Sequence, residues 1–187
     1  QADPSDDSAA IQFAIAYGNP TGGGGVLYDD TVTGLSPTTS IYGQYRTLVL
    51  EDENAQFVFG TDFTGSKNDF YAISIERARY KQSLLPGSLN LVLKSNGSTV
   101  YDYLNLTDDS GMVTLPTYYG TQRAYQVISG SNGQSWDGGT GYTPSSGSYG
   151  LFLPDISTII LNAAALDDAG QGGGINLATS DANAFAD

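Results

Sequence analysis

From Ile41 onward the apolar positions come in short runs, rich in aromatic and branched residues and separated by Gly, Pro, Asn and Asp. Runs of that length and composition are the pattern of half-buried strands. They predict strands over Arg46–Leu50, Gln56–Phe59, Phe70–Tyr80, Ser88–Lys94, Thr99–Leu104, Met112–Leu115, Ala124–Ile128, Tyr149–Leu153 and Ser157–Leu161. Many short strands broken by turn residues predict a mainly β fold, an antiparallel sandwich or barrel-like domain. The clearest turn is Ser95-Asn-Gly-Ser98, because Asn96-Gly97 suits a type I′ hairpin whose two central residues need positive φ. Leu89, Leu91 and Leu93 then face one side of the sheet.

The first forty residues carry a different pattern. Ser5-Asp-Asp-Ser8 offers N-caps and first-turn acids for a short helix over Ala9–Tyr17, apolar nearly all round through Ile11, Phe13, Ala14, Ile15 and Tyr17. Gly18-Asn-Pro20 ends it, and Gly22–Gly25 reads as a flexible connector, with no Lys-Ser/Thr after it to make a phosphate loop. Asn132–Tyr149 holds almost nothing to bury and reads as a long glycine-rich surface loop. The expected organisation is a helix-and-connector arm over 1–40, a β-rich domain over 41–165, and a flexible acidic segment over 166–187 that can lead into a longer chain.

Composition narrows the chemistry. The 187 residues include no His and no Cys, so a Ser-His-Asp or Cys-His nucleophile, a thiolate metal site and a disulfide are all excluded. Carboxylate-only chemistry survives, since glycoside hydrolysis needs two facing acids. Yet the glutamates are only Glu51, Glu53 and Glu76, and the pairs Asp29-Asp30, Asp108-Asp109 and Asp167-Asp168 read as solvated turn acids. Neither Asp108-Asp-Ser-Gly111 nor Asp167-Asp168 has the alternating spacing of a calcium loop, so no metal and no other cofactor is assigned. A net charge of −13 argues against nucleic-acid partners, which need clustered Lys and Arg. No apolar run reaches the length of a membrane span, so no membrane partner is expected.

Against that acidic background, Phe70–Leu93 holds three of the seven basic residues. Read as a strand, it lines Tyr71, Ile73, Ile75, Arg77, Arg79 and Lys81 along one face, running from apolar to cationic. Buried cations need partners, so Arg77, Arg79 and Lys81 are expected to meet carboxylates, within the chain or across a subunit junction. Trp136, the single tryptophan, is the other candidate interface residue. The thirteen tyrosines and seven phenylalanines suit subunit contacts and also a sugar-binding platform.

Two resemblances follow from longer strings. Ser129-Gly-Ser-Asn-Gly-Gln-Ser-Trp136 resembles the Asp-box turn of sialidase-like propellers, with Ser131 where the acid stands and one copy where a propeller repeats it. Ile41-Tyr-Gly-Gln-Tyr-Arg46, Phe70–Leu91, Leu106-Thr-Asp-Asp-Ser110, Gly147–Asp155 and Leu161-Asn162, in that order, resemble a virion structural protein of large tailed phages that infect marine cyanobacteria. This second resemblance implies a non-enzymatic subunit of an extracellular virion particle, of baseplate, tail or fibre-attachment type, whose partners are other virion proteins and copies of itself. The alternative is a secreted or surface carbohydrate-binding or adhesin module.

Overall fold

The computed structural model describes residues 10–22, 37–57, 59, 69–94, 103–135 and 148–168. Within them, nine strands make one antiparallel sheet: β1 (Phe13–Gly18), β2 (Phe70–Ile75), β3 (Leu91–Lys94), β4 (Tyr103–Asp108), β5 (Thr117–Tyr119), β6 (Gln122–Ser131), β7 (Gln134–Ser135), β8 (Gly150–Leu153) and β9 (Thr158–Asn162). The path is β1-β2-β9-β8-β6-β4-β3, with β5 and β7 pairing the long β6 off that path. The sheet curls into half a barrel. Two helices, α1 (Pro37–Leu50) and α2 (Ala163–Asp167), accompany it. The fold is mainly β, and of the two expected architectures it takes the barrel-like one, as a single curled sheet.

Period-two alternation sends side chains to opposite faces and builds two cores. On one face Tyr71, Ile73, Leu104, Leu106, Val127, Tyr149, Phe152, Ile159 and Leu161 pack together, and α2 adds Ala163, Ala165 and Leu166. Leu89, Leu91 and Leu93 all pack against this core, as the Leu-x-Leu-x-Leu spacing predicts. On the other face Phe70, Ala72, Leu151, Leu153 and Ile160 meet Tyr42 and Val49 of α1, along with Phe57 and Phe59. Phe70 is the hub of this second core. It lies 5.4 Å from the Tyr42 ring, 5.7 Å from Tyr45 and 5.0 Å from Phe57, the last two edge-on.

Four local expectations are corrected. Ala9–Tyr17 is not a helix: residues 13–18 form β1, antiparallel to β2 with Phe13 opposite Ile75 and Gly18 opposite Phe70. Large Phe13, Ile15 and Tyr17 alternate with small Ala14, Ala16 and Gly18, and the ladder with β2 outweighs capping residues at Ser5–Ser8. A β-carbon on Gly18 would press 2.6 Å from the Phe70 ring, so the bare glycine is what lets α1's aromatic cluster close over the strand. The structured helix of this region is instead α1, which takes in Arg46–Leu50. Tyr42, Tyr45 and Val49 recur at helical spacing and pack in the core with Phe70 and Ala72, so packing overrides the β propensity of Thr47 and Val49. Met112–Leu115 is a turn and Gln56–Phe57 is non-strand, with Phe57 used as a core plug.

The hairpin expected at Asn96-Gly97 lies outside the described residues. An Asn-Gly turn of that kind does join β6 to β7: Ser131 pairs with Gln134, and the two loop residues Asn132 and Gly133 hold φ of 52° and 76°. The same string that resembles an Asp box is therefore a two-residue hairpin. Strand pairing also carries the sheet into the segment expected to be a separate arm, since β1 is its first strand.

Candidate interaction surface

The sheet path ends at β1, and among the described residues no strand pairs with its outer side. Ile11, Phe13 and Ile15, on the same face at alternate positions, are 66%, 51% and 51% exposed. Three large apolar side chains in a row at a sheet edge are unusual, because proteins ordinarily blunt such edges with Lys, Pro, bulges or a covering element. Phe13–Gly18 contains no Lys and no Pro, its register with β2 runs without a bulge, no described strand covers its outer side, and Ser8–Tyr28 carries no charge. At its far end the strand is anchored: Asn19 N–H donates to Thr38 O at 3.1 Å, and Tyr17 Oη donates to Asp69 at 2.8 Å while its ring packs on Tyr71. Burial is the main reason the Tyr17 hydroxyl is held well above its ordinary pKa.

The cationic stripe is not a stripe. β2 ends at Ile75, whose N–H donates to Ser157 O, and Glu76 N–H donates to Gln12 O. The chain then tightens into a short 3-10 turn over Arg77–Arg79, which scatters the basic side chains that a continuous strand would align. Arg77 donates to Tyr80 O at 2.8 Å and lies 4.8 Å over the Tyr80 ring, while Arg79 and Lys81 are exposed. No acid meets these three among the described residues, where the ion pair present is Arg123–Asp155 at 2.8 Å. Trp136 lies outside the described residues.

Sequence reasoning missed a buried polar knot. Asp108 and Asp109 are not solvated turn acids; they are 0% and 3% exposed. The Asp108 carboxylate accepts from Gly87 N–H at 2.7 Å, Leu89 N–H at 3.3 Å and Ser110 N–H at 3.4 Å. Asp109 accepts from Gln126 N–H at 3.0 Å, and burial pushes its pKa up to about 6, with neighbouring Asp108 adding to the rise and the Gln126 bond opposing it. Thr107 Oγ1 donates to Leu89 O and accepts from Gly133 N–H. Asn90 Oδ1 accepts from Ser131 Oγ and Asn132 N–H. These bonds pin the 84–90 segment, the end of β4 and the β6–β7 hairpin to one another, so the knot works as a structural clasp. Among the described residues no group of three or more acids converges to hold a metal ion. The signal in the sequence was the string Thr-Asp-Asp-Ser where a strand runs into a turn, a place where carboxylates satisfy turn amides.

A groove of about 260 Å³ runs between α1 and the sheet, lined by Gln44, Tyr45, Leu48, Ser74 and Thr158. The Tyr45 hydroxyl and Ser74 Oγ share a hydrogen bond of 2.9 Å across it. Its size falls below that of ordinary ligand pockets. No helix among the described residues is long and apolar enough to cross a membrane. No family model, curated protein or solved structure matches the chain.

Proposed function

We propose that this chain is a non-enzymatic structural subunit of a tailed phage virion, placed in its baseplate, tail or fibre-attachment region and acting through contacts with other virion proteins and with copies of itself. The observation that carries this reading is the β1 edge, unpaired among the described residues, with Ile11, Phe13 and Ile15 exposed beside it. An apolar edge of this kind is a liability in a protein that works alone and an asset in one that assembles. The resemblance of the Ile41–Arg46, Phe70–Leu91, Leu106–Ser110 and Gly147–Asp155 strings to virion structural proteins supplies the kind of assembly. A net charge of −13 is compatible with an exposed particle component that does not bind nucleic acid.

Quantitative mass spectrometry of purified, salt-washed particles tests the proposal. The chain should be present at a fixed copy number per particle, and its absence from washed particles overturns the reading. A glycan array with the isolated protein separates the carbohydrate-binding alternative: specific binding that disappears in Tyr118→Ala, a residue with its ring 63% exposed, would favour that alternative.

A further inference from the structure

We infer that β1 is a self-pairing strand: two copies of this chain join edge to edge, antiparallel, through residues 11–17, about a two-fold axis at Ala14. The inference deepens the assembly reading and rests on it only for the expectation that the edge has a partner.

The direction of the backbone groups carries the argument. Glu76 N–H donates to Gln12 O, so Gln12 points its main-chain groups at β2. In an antiparallel ladder the N–H and C=O of one residue point the same way and successive residues point opposite ways. Gln12, Ala14 and Ala16 therefore face β2, and Ile11, Phe13, Ile15 and Tyr17 turn theirs to the open edge. Among the described residues no strand pairs with these outward main-chain groups, and three of the four residues that carry them, Ile11, Phe13 and Ile15, also carry exposed apolar side chains.

That strand is its own complement. In an antiparallel pair centred on Ala14, Phe13 lies opposite Ile15 of the second copy and Ile11 opposite Tyr17, with each relation repeated by symmetry. Every one of these pairs is of the hydrogen-bonded type and exchanges two bonds, giving about eight main-chain bonds across the junction. All the large side chains fall on one face, where Phe13 covers Ile15 and the reverse. On the other face the axis passes between two alanines, Ala14 being exposed, so no large side chain at the axis opposes close approach.

Charge selects the same occupant. Two chains of net charge −13 repel over most of their surface, and an uncharged stretch from Ser8 to Tyr28 is where they can meet without bringing carboxylates together. A cationic partner would find no acid on this strand to hold it. The opposite sheet edge, β3, is less suited: it is four residues long and ends in exposed Lys94. An isologous β1 contact uses the edge up and closes as a dimer, whereas β1 on β3 of the next copy would leave free ends and propagate.

Because the natural chain has no cysteine, single substitutions report the register directly. Ala14→Cys places two thiols at a non-hydrogen-bonded pair on the axis, within disulfide reach, while Gln12→Cys places them about 13 Å apart, beyond it. Under mild oxidation the Ala14→Cys protein should convert largely to a covalent dimer, and Gln12→Cys should convert at least tenfold more slowly. Light scattering should give the unsubstituted chain twice its 19.6 kDa mass at high concentration. Ile15→Lys should return it to a monomer with an unchanged circular dichroism spectrum. A chain that stays monomeric and does not cross-link at Ala14, equal cross-linking at both positions, or open-ended polymers would each overturn the inference. Incorporation of such a monomeric chain into particles would leave the assembly reading standing, while a clean dimer absent from particles would sink the assembly reading alone.

Discussion

Asp109 is ionised at neutral pH inside a site that disfavours the charge. Its pKa of about 6 exceeds the ordinary carboxylate value because water is excluded and Asp108 adjoins it. The folded chain therefore keeps a proton that the unfolded chain has already lost over the window from about pH 4 to 6. Stability contributed by that proton is full below this window and disappears as pH rises through it. Asp109→Asn retains an oxygen for the Gln126 amide and removes the charge. The variant should be more stable than the parent by roughly 2 kcal/mol above about pH 7, with the gain vanishing near pH 4. Urea unfolding of both proteins at the two pH values measures this. A gain that does not change with pH would mean that the buried charge is not its source.

At the scale of elements, α1 shows how much of a helix can come from its surroundings. Pro37 suits the first helical position, but Thr47 and Val49 are β-branched and Gly43 sits in the interior. Its stability comes from Tyr42, 2% exposed, and Val49, fully buried, against Phe70 and its neighbours. Gly43 itself packs on nothing, since a β-carbon there meets no atom within 4 Å. Gly43→Ala should accordingly stabilise the protein by about 0.5–1 kcal/mol, read as a higher urea midpoint at unchanged slope. Destabilisation would show that this glycine is held for a partner or a backbone geometry that the isolated chain does not reveal. The β6–β7 hairpin is the opposite case, because Asn132-Gly133 can supply both positive φ angles from local chemistry alone.

For the whole molecule, charge and apolar edge pull in different directions: a net charge of −13 keeps copies apart, and β1 gives them one place to meet. Arg77, Arg79 and Lys81 do little inside the described fold. Arg79 and Lys81 are exposed and Arg77 is satisfied by Tyr80, so the double change Arg77→Glu, Arg79→Glu should shift the melting temperature of the isolated protein by no more than about 2 °C. Under the assembly reading, the same change should lower incorporation into particles, as like charges are brought to a junction. A large fall in melting temperature would place the two arginines within the fold's own energetics. No response in either measurement would leave them as solvated cations without a role.

Strands β2, β3, β6, β8 and β9 were legible because alternation and turn residues are local properties of the string, whereas β4 (Tyr103–Asp108) shares only Tyr103 and Leu104 with the strand expected over Thr99–Leu104. The excluded chemistry was equally plain, since a missing His or Cys is absent whatever the fold. Residues 9–17 and 46–50 were misread because their patterns fit either periodicity, and only a neighbour decides between them: β2 supplies the ladder for Phe13–Gly18, and Phe70 supplies the hydrophobic floor for α1. Arg77 and Arg79 left their expected face because β2 ends at Ile75, where its amides turn to Ser157 and Gln12, residues far away in sequence. Asp108 and Asp109 looked solvated because burial is a property of what surrounds a turn. The sequence by itself determined a cysteine-free, acidic, mainly β chain; which strand ends the described sheet, which acids are buried and which short segments become helix were decided by contacts between distant residues, which no local pattern encodes.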